Sequence, residues 1–161
     1  MKTSSQYQDF AMILAWPDAT IRGDEAWMMF FKKIGIVKNL NFKVGHTGIV
    51  LIERETGEML YYDFGRYITP RGYGRARSKF SDPRLDISLK ATFRERHIDN
   101  IGEIVEQLEI LKPAFNGEGI LYFSIAHNIN FTLAKTYGDE CVHQGSYPYG
   151  AVSPSNNNCS R

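Results

Sequence analysis

Two residues far apart in the sequence have the chemistry of a nucleophile and its base. Cys159 follows Asn156-Asn157-Asn158, and asparagine is a leading helix N-cap residue. With Asn158 as the cap, Cys159 opens a helix. Unpaired backbone N–H groups there favour a thiolate and point at any developing oxyanion. His46 opens an apolar, strand-like run between Gly45 and Gly48, which let another segment approach the backbone closely. An imidazole base needs a third group to orient it. Hairpin register nominates that group. Arg54-Glu55-Thr56-Gly57 reads as a four-residue loop with Gly57 in the left-handed position. Glu53 then pairs with Glu58 and Gly48 with Asp63, so positions 46, 48 and 63 share a sheet face. An odd-length loop would put Tyr62 there instead.

Other readings compete. His46 is also an ordinary residue for a half-buried strand, and Cys159 taken alone is an ordinary surface thiol. Cys141 is a rival nucleophile, although nothing around it reads as a helix start, and a Cys141–Cys159 disulfide would silence the site. Cys141 and His143, with His127, are metal-ligand types, but the second ligand cluster of a zinc site is missing from the pattern. Asp63-Phe64-Gly65 matches a kinase triplet without any glycine-rich phosphate loop, and that reading is rejected. Residues 66–81 hold Arg66, Arg71, Arg75, Arg77 and Lys79, no acid, and the aromatics Tyr67, Tyr73 and Phe80. Such a segment could grip phosphates, stack bases or hold a substrate carboxylate. A solvated loop balanced by acids elsewhere is the favoured reading, because the net charge is only +1.

The elements that must position these groups can be read from the pattern. A chain of 161 residues, 43% hydrophobic, is one ordinary domain with material for a core. Residues 10–16 form a short apolar strand stopped by Pro17, and Asp24 caps a helix over 25–37. A hairpin of 46–52 and 59–64 follows, then a loop over 66–82 and a strand over 86–93. Asn100 with Glu103 makes a capping box for a helix ending near Leu111, stopped by Pro113. A strand over 119–126, a short helix over 128–137 and a long loop over 138–158 complete the chain. Two cysteines make no disulfide framework. No apolar run approaches the roughly 20 residues that span a bilayer. The near-balance of charge argues against nucleic acid as a partner. No cleavable leader is visible, so a cytoplasmic location is expected.

Gly45-His46-Thr47-Gly48-Ile49-Val50, a second strand bearing a polar residue, and a distant Asn158-Cys159-Ser160-Arg161 together resemble the circularly permuted NlpC/P60 group. That group belongs to the papain-like cysteine peptidases and is similar to the lecithin:retinol acyltransferase-type enzymes. The resemblance implies a single α+β domain over 1–161, with an antiparallel sheet or partial barrel and helices packed on one side. It implies Cys159 as nucleophile, His46 as base and Asp63 as the third member, with no metal and no organic cofactor. Arg66, Tyr67 and Asn158 are the candidate substrate-binding residues. A peptide-like amide is the first expected substrate and a lipid acyl ester the second, because bacterial members of the group often act on cell-wall peptides. The order of histidine before cysteine is shared by every permuted branch. It does not choose among amidase, peptidase and acyltransferase. The nucleophile helix would hold only Cys159, Ser160 and Arg161 of this sequence, as in a truncated chain, a processed fragment or a degenerate relative. The alternative is a non-catalytic domain of the same fold that uses the Arg66–Lys79 loop for an anionic ligand. Oligomeric state is left open.

Overall fold

The computed structural model describes residues 8–22, 33, 41–43, 45–70 and 72–149. In chain order its strands are β1 (Asp9–Trp16), β2 (Thr20–Arg22), β3 (Asn41–Lys43), β4 (His46–Ile52), β5 (Met59–Gly65), β6 (Tyr73–Arg77), β7 (Phe93–Arg94), β8 (His97–Ile98), β9 (Tyr122–Ile129) and β10 (Ser146–Pro148). The described α-helices are α1 (Ile101–Leu111) and α2 (Phe131–His143), and a short 3-10 helix covers Pro83–Leu85. Six strands form one sheet in the order β10-β6-β5-β4-β1-β9, and every neighbouring pair is antiparallel.

β1 reads as a nearly continuous apolar run because one face is buried along its length and the other is covered except at Ile13. Phe10, Met12, Leu14 and Trp16 point to one face, where they meet Val50, Ile52, Met59 and Tyr61 and the α1 residues Ile104 and Leu108. On the other face Ala11 packs with Leu51, Leu60 and Tyr62 against Phe131, Ala134 and Val142 of α2. A strand buried on both sides loses the alternation that a half-solvated strand would show. The α+β class with an antiparallel sheet stands, with the two described α-helices divided between the two faces rather than gathered on one.

The hairpin between β4 and β5 has the loop expected of it. Gly57 takes φ +72°, the left-handed conformation that glycine adopts without strain. The Gly57 and Glu53 amides donate to the carbonyls of Glu53 and Glu58, each at 2.9 Å. Gly48 lies opposite Asp63, and Tyr62 turns to the α2 face.

Several element assignments change. The expected loop over 66–82 contains β6, which pairs Arg77 with Asp63. Its alternation of Tyr73, Arg75 and Arg77 with Gly74 and Ala76 is the period of a strand, hidden by the charge it carries. The expected strand over 86–93 pairs only at its last residue, Phe93, where β7 begins. Ile87 and Ala91 are buried by packing, and the Ala91 amide donates to the Gly57 carbonyl at 2.9 Å. Burial there follows a period of two without a ladder. α1 begins after Asn100 as expected, but the Asn100 side chain caps nothing. It accepts from the Thr92 amide at 2.8 Å and donates to the Lys90 carbonyl at 3.0 Å. The strand expected over 119–126 is β9, shifted to Tyr122–Ile129. α2 extends to His143, through a glycine expected to open a loop. Gly138 fits against the Tyr62 ring, where a Cβ would lie 2.7 Å from a ring carbon. The chain after it continues into β10 on the edge of β6. The helix expected over 25–37 lies outside the described residues except for Lys33. No described helix is long and apolar enough to cross a membrane.

Candidate active site

His46 opens β4 directly opposite Trp16 of β1, and the indole stacks on the imidazole with centroids 5.9 Å apart. On the neighbouring strand Asp63 brings Oδ2 to 3.1 Å from His46 Nε2. The carboxylate has no solvent exposure and the imidazole about 10%. Tyr61 and Tyr67 donate their hydroxyls to the same carboxylate oxygen at 2.9 and 3.0 Å. An ionised carboxylate can only accept. The Nε2 nitrogen therefore carries the proton of a neutral imidazole, and Nδ1 is left as the basic nitrogen that could face a thiol.

Two glycines seat the two tyrosines. A Cβ on Gly48 would lie 2.6 Å from the Tyr61 ring, and one on Gly65 would lie 2.8 Å from the Tyr67 ring. The second glycine of the Gly-His-x-Gly run therefore clears the sheet face so that Tyr61 can lie flat and reach Asp63. Phe115 stacks on the far side of Tyr61 at 4.0 Å between centroids and fixes the ring from above.

Arg77 closes the cluster from β6. Its Nε donates to Asp63 Oδ1 at 3.0 Å and its Nη2 to Oδ2 at 2.7 Å, a bidentate fork. Its guanidinium lies 3.4 Å from the Tyr67 ring centroid, and Nη1 lies 3.5 Å from Asp82. Burial alone would push the Asp63 carboxyl up. Hydrogen bonds from His46 and Arg77 and the charge of Arg77 outweigh that and hold it below the usual carboxylate range. Burial first, and the Asp63 charge second, push the Tyr61 and Tyr67 hydroxyls well above the ordinary phenol value. Both tyrosines are thus fixed as neutral donors.

The cluster unites two of the three residues expected to carry the chemistry, His46 and Asp63. Tyr62, the third group under an odd register, instead donates its hydroxyl to Asp139 at 2.8 Å on the opposite face. Cys159 and Asn158 lie outside the described residues. Cys141 carries a free thiol in the last turn of α2. It lines a cavity of about 630 Å³ on the α2 side of the sheet with Ile49, Tyr62 and Tyr147, across the sheet from the His46 imidazole. His127 packs edge-on against Phe10. His143 Nδ1 contacts the Asp139 carbonyl on α2. Among the described residues no group of three His, Cys, Asp or Glu side chains could hold a metal ion.

The basic segment is largely occupied by internal contacts. Arg77 is 3% exposed, Lys79 pairs with Glu58 and Asp86 at 3.2 and 3.3 Å, and Arg66 lies 4.9 Å over the Tyr149 ring. Tyr67, expected at the substrate, has its hydroxyl on Asp63 and its ring under Arg77. Sequence reasoning placed Arg77 in a basic segment rather than on Asp63, and missed Tyr61 and Trp16 at the site. The period of two in residues 73–77 was the available signal for Arg77. Tyr61 could have been found by asking what Gly48 makes room for.

A profile of the family described as type VI secretion system effector TseH-like matches residues 11–161. The chain belongs to this TseH-like family. Its fold is similar to that of a crystal structure of the type VI secretion system effector TseH, with a TM-score of 0.65 and 21% sequence identity. That likeness covers 98% of this chain and 73% of the other. No curated protein matches the sequence. The family match includes the segment that carries Asn158 and Cys159.

Proposed function

We propose that this TseH-like chain is a thiol hydrolase or transferase acting at an amide or ester carbonyl, with the permuted papain-like arrangement. Cys159 is the nucleophile. His46 takes its proton at Nδ1 and returns it to the leaving group, and Asp63 holds the imidazole through Nε2. The Cys159 backbone N–H contributes to binding the oxyanion. The observation that carries the reading is the buried His46–Asp63 hydrogen bond. A carboxylate sealed from water, gripping the far nitrogen of an imidazole, is what a histidine base requires. A peptide-like amide of the bacterial cell wall is the first substrate class, which suits membership of an effector family. A lipid acyl ester is the second.

The rival, a binding domain built on the basic loop, loses support because Arg77 is buried on Asp63 and Lys79 is paired at the surface with Glu58 and Asp86. Purified protein incubated with peptidoglycan fragments, with newly freed amines counted and products weighed by mass spectrometry, tests the proposal. Turnover is expected for the unaltered chain, with Cys159→Ala inactive and His46→Ala slower by about 10²–10⁴-fold. Turnover that survives both substitutions would refute it.

A further inference from the structure

We propose that Arg77 is the positioning residue of this site, and that its guanidinium fork fixes the Asp63 carboxylate in the orientation that receives the His46 Nε2–H. The proposal rests on the catalytic reading above for its effect on turnover, but its claim about Asp63 can be read without any turnover. Three features of the geometry point to it. Arg77 lies directly opposite Asp63 in the ladder, so the fork needs no loop to place it. Both carboxylate oxygens are engaged, Oδ1 by Nε and Oδ2 by Nη2, which removes the rotation a single contact would permit. The guanidinium is itself held on its remaining sides by the Tyr67 ring, by Asp82 and by the Ala114 carbonyl at 3.3 Å.

A buried ion pair is a poor device for stability alone, because the desolvation of two charges offsets most of their attraction. It suits a carboxylate that must stay ionised where water cannot reach it. Among the described residues, the groups facing Asp63 are His46 from β4, Tyr61 from its own strand, Tyr67 from the following loop and Arg77 from β6. Arg77 is the permanent cation among them, and neither tyrosine can supply a proton charge. Without Arg77 the burial of Asp63 would be opposed only by the hydrogen bonds from His46, Tyr61 and Tyr67, and the carboxyl would take up a proton more readily. A neutral carboxyl has one O–H to donate, no longer favours a cationic imidazole, and is free to turn away from Nε2.

The test uses the full chain with Arg77→Met and Arg77→Lys, following the Asp63 carboxyl by carbon-13 NMR titration alongside turnover against pH. Arg77→Met is expected to raise the Asp63 midpoint by more than one pH unit and to move the acid limb of kcat upward with it, with KM little changed. Arg77→Lys restores the charge without the fork. It should recover most of the titration shift but only part of kcat. An Asp63 midpoint unchanged in Arg77→Met, with only a lower melting temperature, would overturn the proposal. So would an unaltered protein whose Asp63 titrates near the ordinary value of about 4, an outcome that needs no variant to fold. If the chain proves to have no hydrolytic turnover, the titration still decides the claim about Arg77, and the catalytic reading fails separately.

Discussion

A carboxylate without solvent exposure must find all its hydrogen bonds inside the protein, and Asp63 takes them from His46, Tyr61, Tyr67 and Arg77. The folded state therefore favours its ionised form, and this has a sign that can be worked out. With its folded pKa depressed, Asp63 binds a proton less readily when folded than when unfolded. Its contribution is fully present above the unfolded carboxylate value of about 3.9 and is lost as pH falls through the lower folded value. Asp63→Asn keeps the shape and removes the charge, which leaves Arg77 buried beside a neutral amide. We expect a loss of about 3–5 kcal/mol at pH 7, the usual cost of breaking a buried pair from one side. The loss should shrink as pH falls below about 4. Urea denaturation of both proteins between pH 3 and pH 7 measures it. A difference that stays constant across that range would mean that Asp63 is not linked to folding in this way.

At the scale of the element, the β4–β5 hairpin was legible because its loop, its glycine and its period of two all agree. Register then followed from loop length, and with it the meeting of His46 and Asp63 on one face. β6 was not legible in the same way. Its strand period coincides with a run of arginines, and exposed charge is the ordinary meaning of such a run, whereas here the last arginine is buried by the aspartate opposite. α2 was shortened for a similar reason, because Gly138 answers to the Tyr62 ring and not to a turn. Such close approaches depend on partners distant in the sequence. They give rise to a further expectation at this scale. Gly48→Ala drives a methyl group into Tyr61, which cannot retreat because Phe115 stacks behind it. It should cost about 1–3 kcal/mol, the range for overpacking, and should also lower turnover by displacing the Tyr61 hydroxyl from Asp63. Gly102→Ala in α1 meets no atom within 4 Å and should be neutral or stabilising by up to about 1 kcal/mol. Equal denaturation midpoints for the two variants would contradict this account of the glycine at position 48.

For the whole molecule, the sheet divides the chemistry between two sides. The face packed on α1 carries His46, Asp63 and Arg77, while the face packed on α2 carries the Cys141 thiol and its cavity. The α+β class came with the family resemblance carried by the Gly45–Val50 strand, and the mixture of strand-like and helical segments along the chain agrees with it. The allocation of helices to faces was not readable, because it is set by which side of β1 each helix covers. The central claim is that the thiol of Cys159 is activated by His46, and differential alkylation tests it most directly. The full-length protein is treated with limiting iodoacetamide at pH 6, and each cysteine is quantified by peptide mass spectrometry. A thiolate favoured by a helix N-terminus and an imidazole ionises below the roughly 8.5 of a free cysteine. Cys159 should therefore be alkylated much faster than Cys141, and His46→Ala should remove most of that advantage. Equal labelling of the two cysteines, or a preference for Cys159 that His46→Ala leaves untouched, would contradict the account.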